Sequence, residues 1–147
     1  MKILIIGGAG FIGSHLVDEL TNTKNEIVVM DDLSNGEMAN LSNSVGKKNF
    51  VFHQVSILDN GQLNDIMESV DVIYHLACLG VRHSLHSPII NHNVNAGGTL
   101  RVLECAIRNN VQKLFYISTS EVYGKTLKFP INENSPTIPT TVYGVSK

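Results

Sequence analysis

Residues 2–20, "KILIIGGAGFIGSHLVDEL", decide the reading of this chain. The run "KILII" at 2–6 is apolar almost throughout, as expected of a parallel strand covered on both faces. From Gly10 to about Leu20, Phe11, Ile12, His15, Leu16, Glu19 and Leu20 recur at helical spacing. Gly7, Gly10 and Gly13 stand between strand and helix. A tight turn asks for glycine at Gly7, a pyrophosphate against the backbone asks for it at Gly10, and close packing of helix on sheet asks for it at Gly13. The first helical turn then offers open N–H groups and a partial positive charge to phosphates. The spacing is G-x-x-G-x-x-G, a variant of the commoner G-x-G-x-x-G.

A second sign lies at the end of the next strand, in "VVMDDLSNG" (28–36). Asp31 takes the place of the acid that, about 20 residues on, accepts hydrogen bonds from both hydroxyls of an adenosine ribose. A carboxylate there repels a 2′-phosphate, and no arginine is nearby to welcome one. The expected cofactor is therefore NAD rather than NADP.

Outward from this loop, β-rich runs alternate with helical stretches. "EIVVM" (26–30), "FVFHQV" (50–55), "DVIYHL" (71–76) and "KLFYIS" (113–118) read as further strands, and residues 60–69 as a short helix. Pro88 can open a longer helix to about Asn109, with Leu100, Leu103, Ala106 and Ile107 on one side. The segment from Gly124 to Thr141, with Pro130, Pro136 and Pro139, reads as a loop. Alternating strands and helices joined by short turns predict an α/β fold, a Rossmann-type doubly wound parallel sheet. No repeat and no domain boundary is marked, so residues 1–147 are read as one dinucleotide-binding domain.

Composition narrows the partners. With 43% hydrophobic and 16% charged residues the chain has the makings of a core rather than of a disordered segment. Eleven basic against thirteen acidic side chains give a net charge of −2, and no Lys/Arg run suggests nucleic acid or an anionic membrane. The opening apolar run is broken by glycines too early for a signal peptide or a membrane span. Cys78, at the start of a loop, and Cys105, on a helix face, read as lone buried thiols. Neither they nor the six histidines have metal-ligand spacing, so no metal is expected. A cytoplasmic setting fits this composition.

The stretches "GGAGFIGSHL", "DDLSNG", "YHLAC", "NVNAGGTLRVLECA", "STSEVYG" and "YGVSK" together resemble the extended short-chain dehydrogenase/reductases, in particular the nucleotide-sugar epimerases, dehydratases and decarboxylases. They run in that family's order over nearly the whole chain. The resemblance implies that Gly7, Gly10, Phe11, Ile12 and Gly13 cradle the pyrophosphate and that Asp31 holds the adenosine ribose. Asp32, Asn35 and Gly36 would shape the adenine-side loop, and Leu76 and Ala77 would line the path to the nicotinamide. Asn95 falls at the family's active-site helix asparagine. Thr119 corresponds to the catalytic Ser/Thr, Tyr143 to the catalytic tyrosine, and Lys147 to the lysine that also meets the nicotinamide ribose. One departure concerns adenine: the family commonly has an aspartate after the third strand, where this chain has Ser56, followed by Ile57 as an apolar contact. A hydroxyl hydrogen-bonds there without charge assistance.

Tyr143 and Lys147 are four apart and share one face of a helix. A tyrosine titrates near pH 10, and a nearby ammonium favours its phenolate, bringing it toward working pH as a base. By the resemblance, Tyr143 takes a proton from a sugar C4 hydroxyl as hydride passes to NAD, and Thr119 holds that hydroxyl. The 4-keto sugar then leads to epimerisation, 4,6-dehydration or decarboxylation. Glu121 bears on the choice, since dehydratases with this pattern use a carboxylate there as the base at C5. A solvated or structural loop carboxylate is the other reading. In the expected loop 78–88, Arg82 reads as solvent-exposed and His83 and His86 as loop or surface histidines.

The family's members are longer, with further strands and a lobe that grips the nucleotide-sugar, be it UDP-, GDP- or dTDP-linked. This chain is thus expected to be an N-terminal, incomplete portion, inactive alone, of an enzyme that pairs as a homodimer through the helices beginning near Pro88 and at Tyr143. A UDP-glucuronate decarboxylase-type enzyme and a non-catalytic NAD-binding module are the alternatives.

Overall fold

Strands without a polar face must be covered on both sides, and that requirement organises the sheet. The computed structural model describes residues 1–126 and 129–147. Its strands are β1 (Lys2–Ile6), β2 (Glu26–Asp31), β3 (Phe50–Gln54), β4 (Val72–His75) and β5 (Lys113–Tyr116). All pairs are parallel, in the order β3-β2-β1-β4-β5. The helices are α1 (Phe11–Thr21), α2 (Asn60–Ile66), α3 (Val81–His86), α4 (Pro88–His92), α5 (Thr99–Arg108) and α6 (Val142–Val145), with a π-helical turn at Asn93–Gly98. The chain divides into two units, Met1–Ala77 with Thr99–Ile117 and Cys78–Gly98 with Ser118–Lys147.

The first unit holds the whole sheet. Ile3 and Ile5 of β1 and Ile27 and Val29 of β2 cluster with Ala9, Val17 of α1 and Leu41. Strand side chains alternate, so Leu4, Ile6, Val28 and Met30 point to the opposite face. Leu63 and Ile66 of α2 and Val102, Cys105 and Ala106 of α5 supply buried side chains there. Each buried Leu, Ile, Val or Met side chain contributes about 2 kcal/mol by leaving water. Packing of this kind holds α1, whose cap residue Gly10 makes no side-chain hydrogen bond. The result is an α/β Rossmann-type doubly wound sheet, as the alternating pattern predicts.

The helix faces turned to the sheet are built largely from small residues. In α1 the buried residues are Gly13, Ser14, Val17 and Thr21, while Phe11 and Ile12 are 80% and 64% exposed. The start of the helix lies so close to the preceding turn that a Cβ on Gly13 would sit 2.2 Å from the Gly7 carbonyl oxygen. In α5, Val102, Cys105 and Ala106 are buried, whereas Leu100, Leu103 and Ile107 are exposed. Burial holds the Cys105 thiol above its usual pKa. Cys78 is only half-buried.

In the second unit the loop expected at 78–88 contains α3, begun at Gly80 and closed inside by the Ser84 hydroxyl donating to the Val81 carbonyl at 2.7 Å. The single helix expected from Pro88 to about Asn109 is three pieces, α4, the π-helical turn and α5. Gly97 and Gly98 weaken the α-helix there, and a wider turn costs little beside two glycines. Of the loop expected from Gly124 to Thr141, residues 127 and 128 lie outside the described residues; Gly124, before them, bridges Ile138, after them, and α6 starts at Val142. Among the described residues no helix is long and apolar enough to cross a membrane.

Candidate functional site

In the first unit the carboxyl ends of β1, β2, β3 and β4 line one edge of the sheet, and strand order reverses between β1 and β4. Open α/β sheets bind ligands at such a switch point. Gly7 leaves β1 at φ +84°, its N–H donating to the Met30 carbonyl at 2.8 Å. A Cβ on Gly7 would lie 2.5 Å from the Ala77 nitrogen. Leu76 and Ala77 are held beside this turn, both N–H groups donating to the Ile6 carbonyl at 2.8 and 3.0 Å.

Gly10 is different. Its backbone is extended, at φ −76° and ψ 174°, and a Cβ there would approach only the Gly7 carbonyl oxygen, at 3.4 Å. Neither conformation nor the protein's own packing demands glycine, so the missing Cβ leaves room on the outer side of the turn. Next to that room α1 begins, without a capping side chain and without an acid in its first turn. The first N–H groups of an α-helix have no intrahelical acceptor, and phosphate oxygens suit them. The residues present thus fit a dinucleotide pyrophosphate.

Asp31 ends β2, 9% exposed. One carboxylate oxygen accepts the Ala9 N–H and the other the Leu33 N–H, each at 2.9 Å. Each oxygen keeps a second lone pair for a ligand hydroxyl. Ala9 is a hub that sequence reasoning missed: its carbonyl accepts the Glu37 N–H at 3.1 Å and the Asn40 amide at 2.8 Å. Gly36 is buried against it, a Cβ at 36 falling 2.8 Å from the Ala9 carbonyl carbon. Gly8 was missed too; its Cβ would meet Val29 Cγ1 at 2.6 Å. Asp32 and Asn35 are exposed, and Asp32 accepts the Ser34 N–H. Ser56 is half-buried and its hydroxyl accepts the Leu58 N–H at 3.3 Å, while Ile57 is buried.

In the second unit, Thr119 caps a 3-10 turn at Ser120–Val122, its hydroxyl accepting the Glu121 N–H at 3.3 Å. Thr141 caps α6, its hydroxyl accepting the Gly144 N–H at 3.0 Å and donating to Glu121 Oε2 at 3.4 Å. Tyr143 lies in α6, which ends at Val145, so Lys147 stands beyond the helix rather than on its face. The Ser118 hydroxyl donates to the Lys147 carbonyl at 3.2 Å. Ser146 donates to the Val142 carbonyl at 2.7 Å, so its oxygen accepts from His92 Nδ1 at 2.9 Å and the imidazole proton is on Nδ1. Thr119, Glu121 and the helix bearing Tyr143 are thus brought together.

Asn95 holds the loop at Leu79. Fully buried, its amide accepts the Leu79 N–H at 2.8 Å and donates to the Leu79 carbonyl at 2.8 Å and to Asn91 Oδ1 at 3.0 Å. Asn91 donates to the Leu79 and Gly80 carbonyls at 2.9 and 3.2 Å. Arg82 and His86 are exposed and His83 half-buried. Among the described residues no group of three or more His, Cys, Asp or Glu could hold a metal ion.

The family model for GDP-mannose 4,6-dehydratase matches residues 4–147. The UDP-glucose 4-epimerase of Halalkalibacterium halodurans is 35% identical over 150 residues, covering 100% of this chain and 43% of the relative. Among solved structures, the UDP-Glc/GlcNAc 4-epimerase from Campylobacter jejuni superposes with a TM-score of 0.93 at 32% identity, covering 99% of this chain and 45% of that one. DesIV, the dTDP-glucose 4,6-dehydratase from Streptomyces venezuelae with NAD and TYD bound, gives 0.94 at 34% identity, covering 100% and 48%. The chain spans about half the length of the curated relatives it matches.

Proposed function

The chain belongs to the GDP-mannose 4,6-dehydratase family, and on that premise we propose that it is the dinucleotide-binding part, incomplete as a domain, of an NAD-dependent nucleotide-sugar epimerase or dehydratase working through a transient 4-keto sugar. The observation that carries the cofactor reading is Gly10, a glycine that the protein's own geometry does not require, beside the open start of α1. Gly7, Phe11, Ile12 and Gly13 complete that phosphate cradle, and Asp31 takes the ribose with its remaining lone pairs. Asp32, Asn35, Gly36, Ser56 and Ile57 serve the adenine side, and Leu76 and Ala77 the nicotinamide side. NAD, when bound, supplies the acceptor for hydride from the sugar carbon.

Tyr143 takes the proton from the sugar hydroxyl, and Lys147 favours its phenolate and holds the nicotinamide ribose. The Thr119 oxygen already accepts the Glu121 N–H, so its O–H hydrogen is the part that donates to the sugar oxygen. Asn95 acts by pinning the loop at Leu79. The substrate is a UDP-, dTDP- or GDP-linked sugar, as relatives of both the epimerase and dehydratase kinds suggest. Exposed Leu100, Leu103 and Ile107, at helical spacing on α5, support pairing of the full protein with a second copy.

The test is to incubate the full-length protein with NAD and, in turn, UDP-glucose, UDP-N-acetylglucosamine, dTDP-glucose and GDP-mannose, and to identify products by NMR. A 4-epimer or a 4-keto-6-deoxy sugar is expected. Binding of NAD with every sugar unchanged would leave a non-catalytic module, and no binding of NAD would overturn the whole reading.

A further inference from the structure

The carboxyl ends of the first three strands follow the order in which a mononucleotide is built. The turn after β1 has room for phosphate, Asp31 at the end of β2 keeps lone pairs for ribose hydroxyls, and β3 is the next strand outward. Neighbouring strands lie about 4.8 Å apart. A base carried by that ribose and directed away from the phosphate therefore comes over the end of β3. The chain is tied there to the acid itself: the Val55 N–H donates to the Asp31 carbonyl at 3.1 Å, and Ser56 is the next residue.

Ser56 is half-buried and held in place. Its hydroxyl accepts the Leu58 N–H at 3.3 Å, and its carbonyl accepts the Asp59 N–H at 3.0 Å, which closes the turn into α2. Ile57 beside it is buried. A serine hydroxyl has one hydrogen and two lone pairs. The Leu58 N–H uses one lone pair, so the hydrogen and the other lone pair remain for a ligand. An ionised carboxylate at this position would offer lone pairs alone. The difference is felt at the 6-position of a purine, where adenine presents an amino group, a donor, and hypoxanthine a keto oxygen, an acceptor. A hydroxyl meets either by turning. A carboxylate pairs with the amino group and repels the keto oxygen.

We propose that Ser56 meets the 6-position of the cofactor's purine and leaves it undiscriminated, so that a nicotinamide dinucleotide carrying a 6-oxopurine binds nearly as well as NAD. This rests on the cofactor reading above and deepens it.

The experiment titrates NAD and nicotinamide hypoxanthine dinucleotide by calorimetry into full-length wild type, S56D, S56N and S56A, and records the thermal midpoint of each. Wild type is expected to bind the two within about tenfold of each other, the range of one neutral hydrogen bond. S56D, an acceptor only, should widen that ratio by a further factor of about ten or more, because a charged partner is gained by one base and opposed by the other. S56N has nearly the size of S56D but both a donor and an acceptor, and should keep the wild-type ratio. S56A has neither, and should weaken both dinucleotides by one common factor of about two to ten. A wild type that prefers NAD by more than about tenfold overturns the proposal, as does an S56D ratio equal to that of wild type. Should the midpoint show that S56D does not fold, the wild-type and S56N ratios decide by the same limits. Wild type binding NAD while rejecting the hypoxanthine dinucleotide sinks this inference alone, whereas wild type binding neither sinks the cofactor reading itself.

Discussion

Asp31 closes β2 and Glu121 lies in the 3-10 turn that follows β5, and both carboxylates are held by the protein itself, yet by different means. Asp31 accepts two backbone N–H groups, from Ala9 and Leu33, at 2.9 Å in a nearly buried setting. Glu121 accepts one side-chain hydroxyl at 3.4 Å and is half-buried. Their neighbouring glycines show the same contrast in degree. Gly13 would put a Cβ 2.2 Å from the Gly7 oxygen, and Gly144 one 2.6 Å from the Glu121 oxygen. Backbone donors cannot be replaced by mutation, so on the Asp31 side ligand binding and folding share the same atoms. On the Glu121 side the linking group is a side chain and the two roles separate.

The sharpest test of this contrast is Gly13→Ala. With backbone on the far side of the clash, nothing rotates out of the way, and the expected loss is about 3 kcal/mol in urea unfolding. Asp31→Ala comes next. It strands two N–H groups, and at about 1–3 kcal/mol for each buried unpaired group a loss of about 2–3 kcal/mol is expected by the same measurement. A loss below about 1 kcal/mol would break the comparison. Glu121→Ala should cost only about 1 kcal/mol or less, because the Thr141 hydroxyl can turn to water.

Asp18 supplies the smallest effect and the finest discrimination. Like Glu121 it is held by side chains, accepting the Asn43 amide at 3.0 Å and the Ser44 hydroxyl at 2.8 Å. The Asn43 hydrogen bond above all, with Ser44 and Lys47, holds its pKa below the ordinary aspartate value, against an opposing pull from burial. A depressed folded-state pKa gives stability that is present above the unfolded value, about 3.9, and is lost as pH falls through the folded one. Asp18→Asn should therefore flatten the acid side of the stability profile below about pH 4, measured by thermal midpoint against pH. An unchanged slope would contradict the assignment.

The parallel sheet was legible because its inner strands carry uninterrupted apolar runs, and the turn after β1 because glycine has few other reasons to recur beside such a strand. Asp31 was legible by position, but its partner Ala9 was not: an alanine nitrogen carries no sign of what it bonds. Which helix faces are buried was not legible where the interface is built from small or polar residues. Gly13, Ser14 and Thr21 lie under α1, and Cys105 and Ala106 under α5, while Phe11, Leu100 and Ile107 face outward. The break at Asn93–Gly98 was hidden for a similar reason. Asn91 and Asn95 are buried because the loop at Leu79 satisfies their amides, a partnership across the unit that local spacing does not reveal. In the site, Thr119, Glu121 and Tyr143 were legible as motifs, and the cap at Thr141 that joins them was not.

Calorimetric titration of NAD into wild-type and Gly10→Ala protein, with urea unfolding of both, tests most directly the idea that the turn after β1 reserves space for a dinucleotide. With φ at −76° and no atom nearer than 3.4 Å, alanine at position 10 should leave stability within about 0.5 kcal/mol. Affinity for NAD should fall at least about tenfold, or about 1.4 kcal/mol. Unchanged affinity in the variant, or no heat of binding in the wild type, would contradict it.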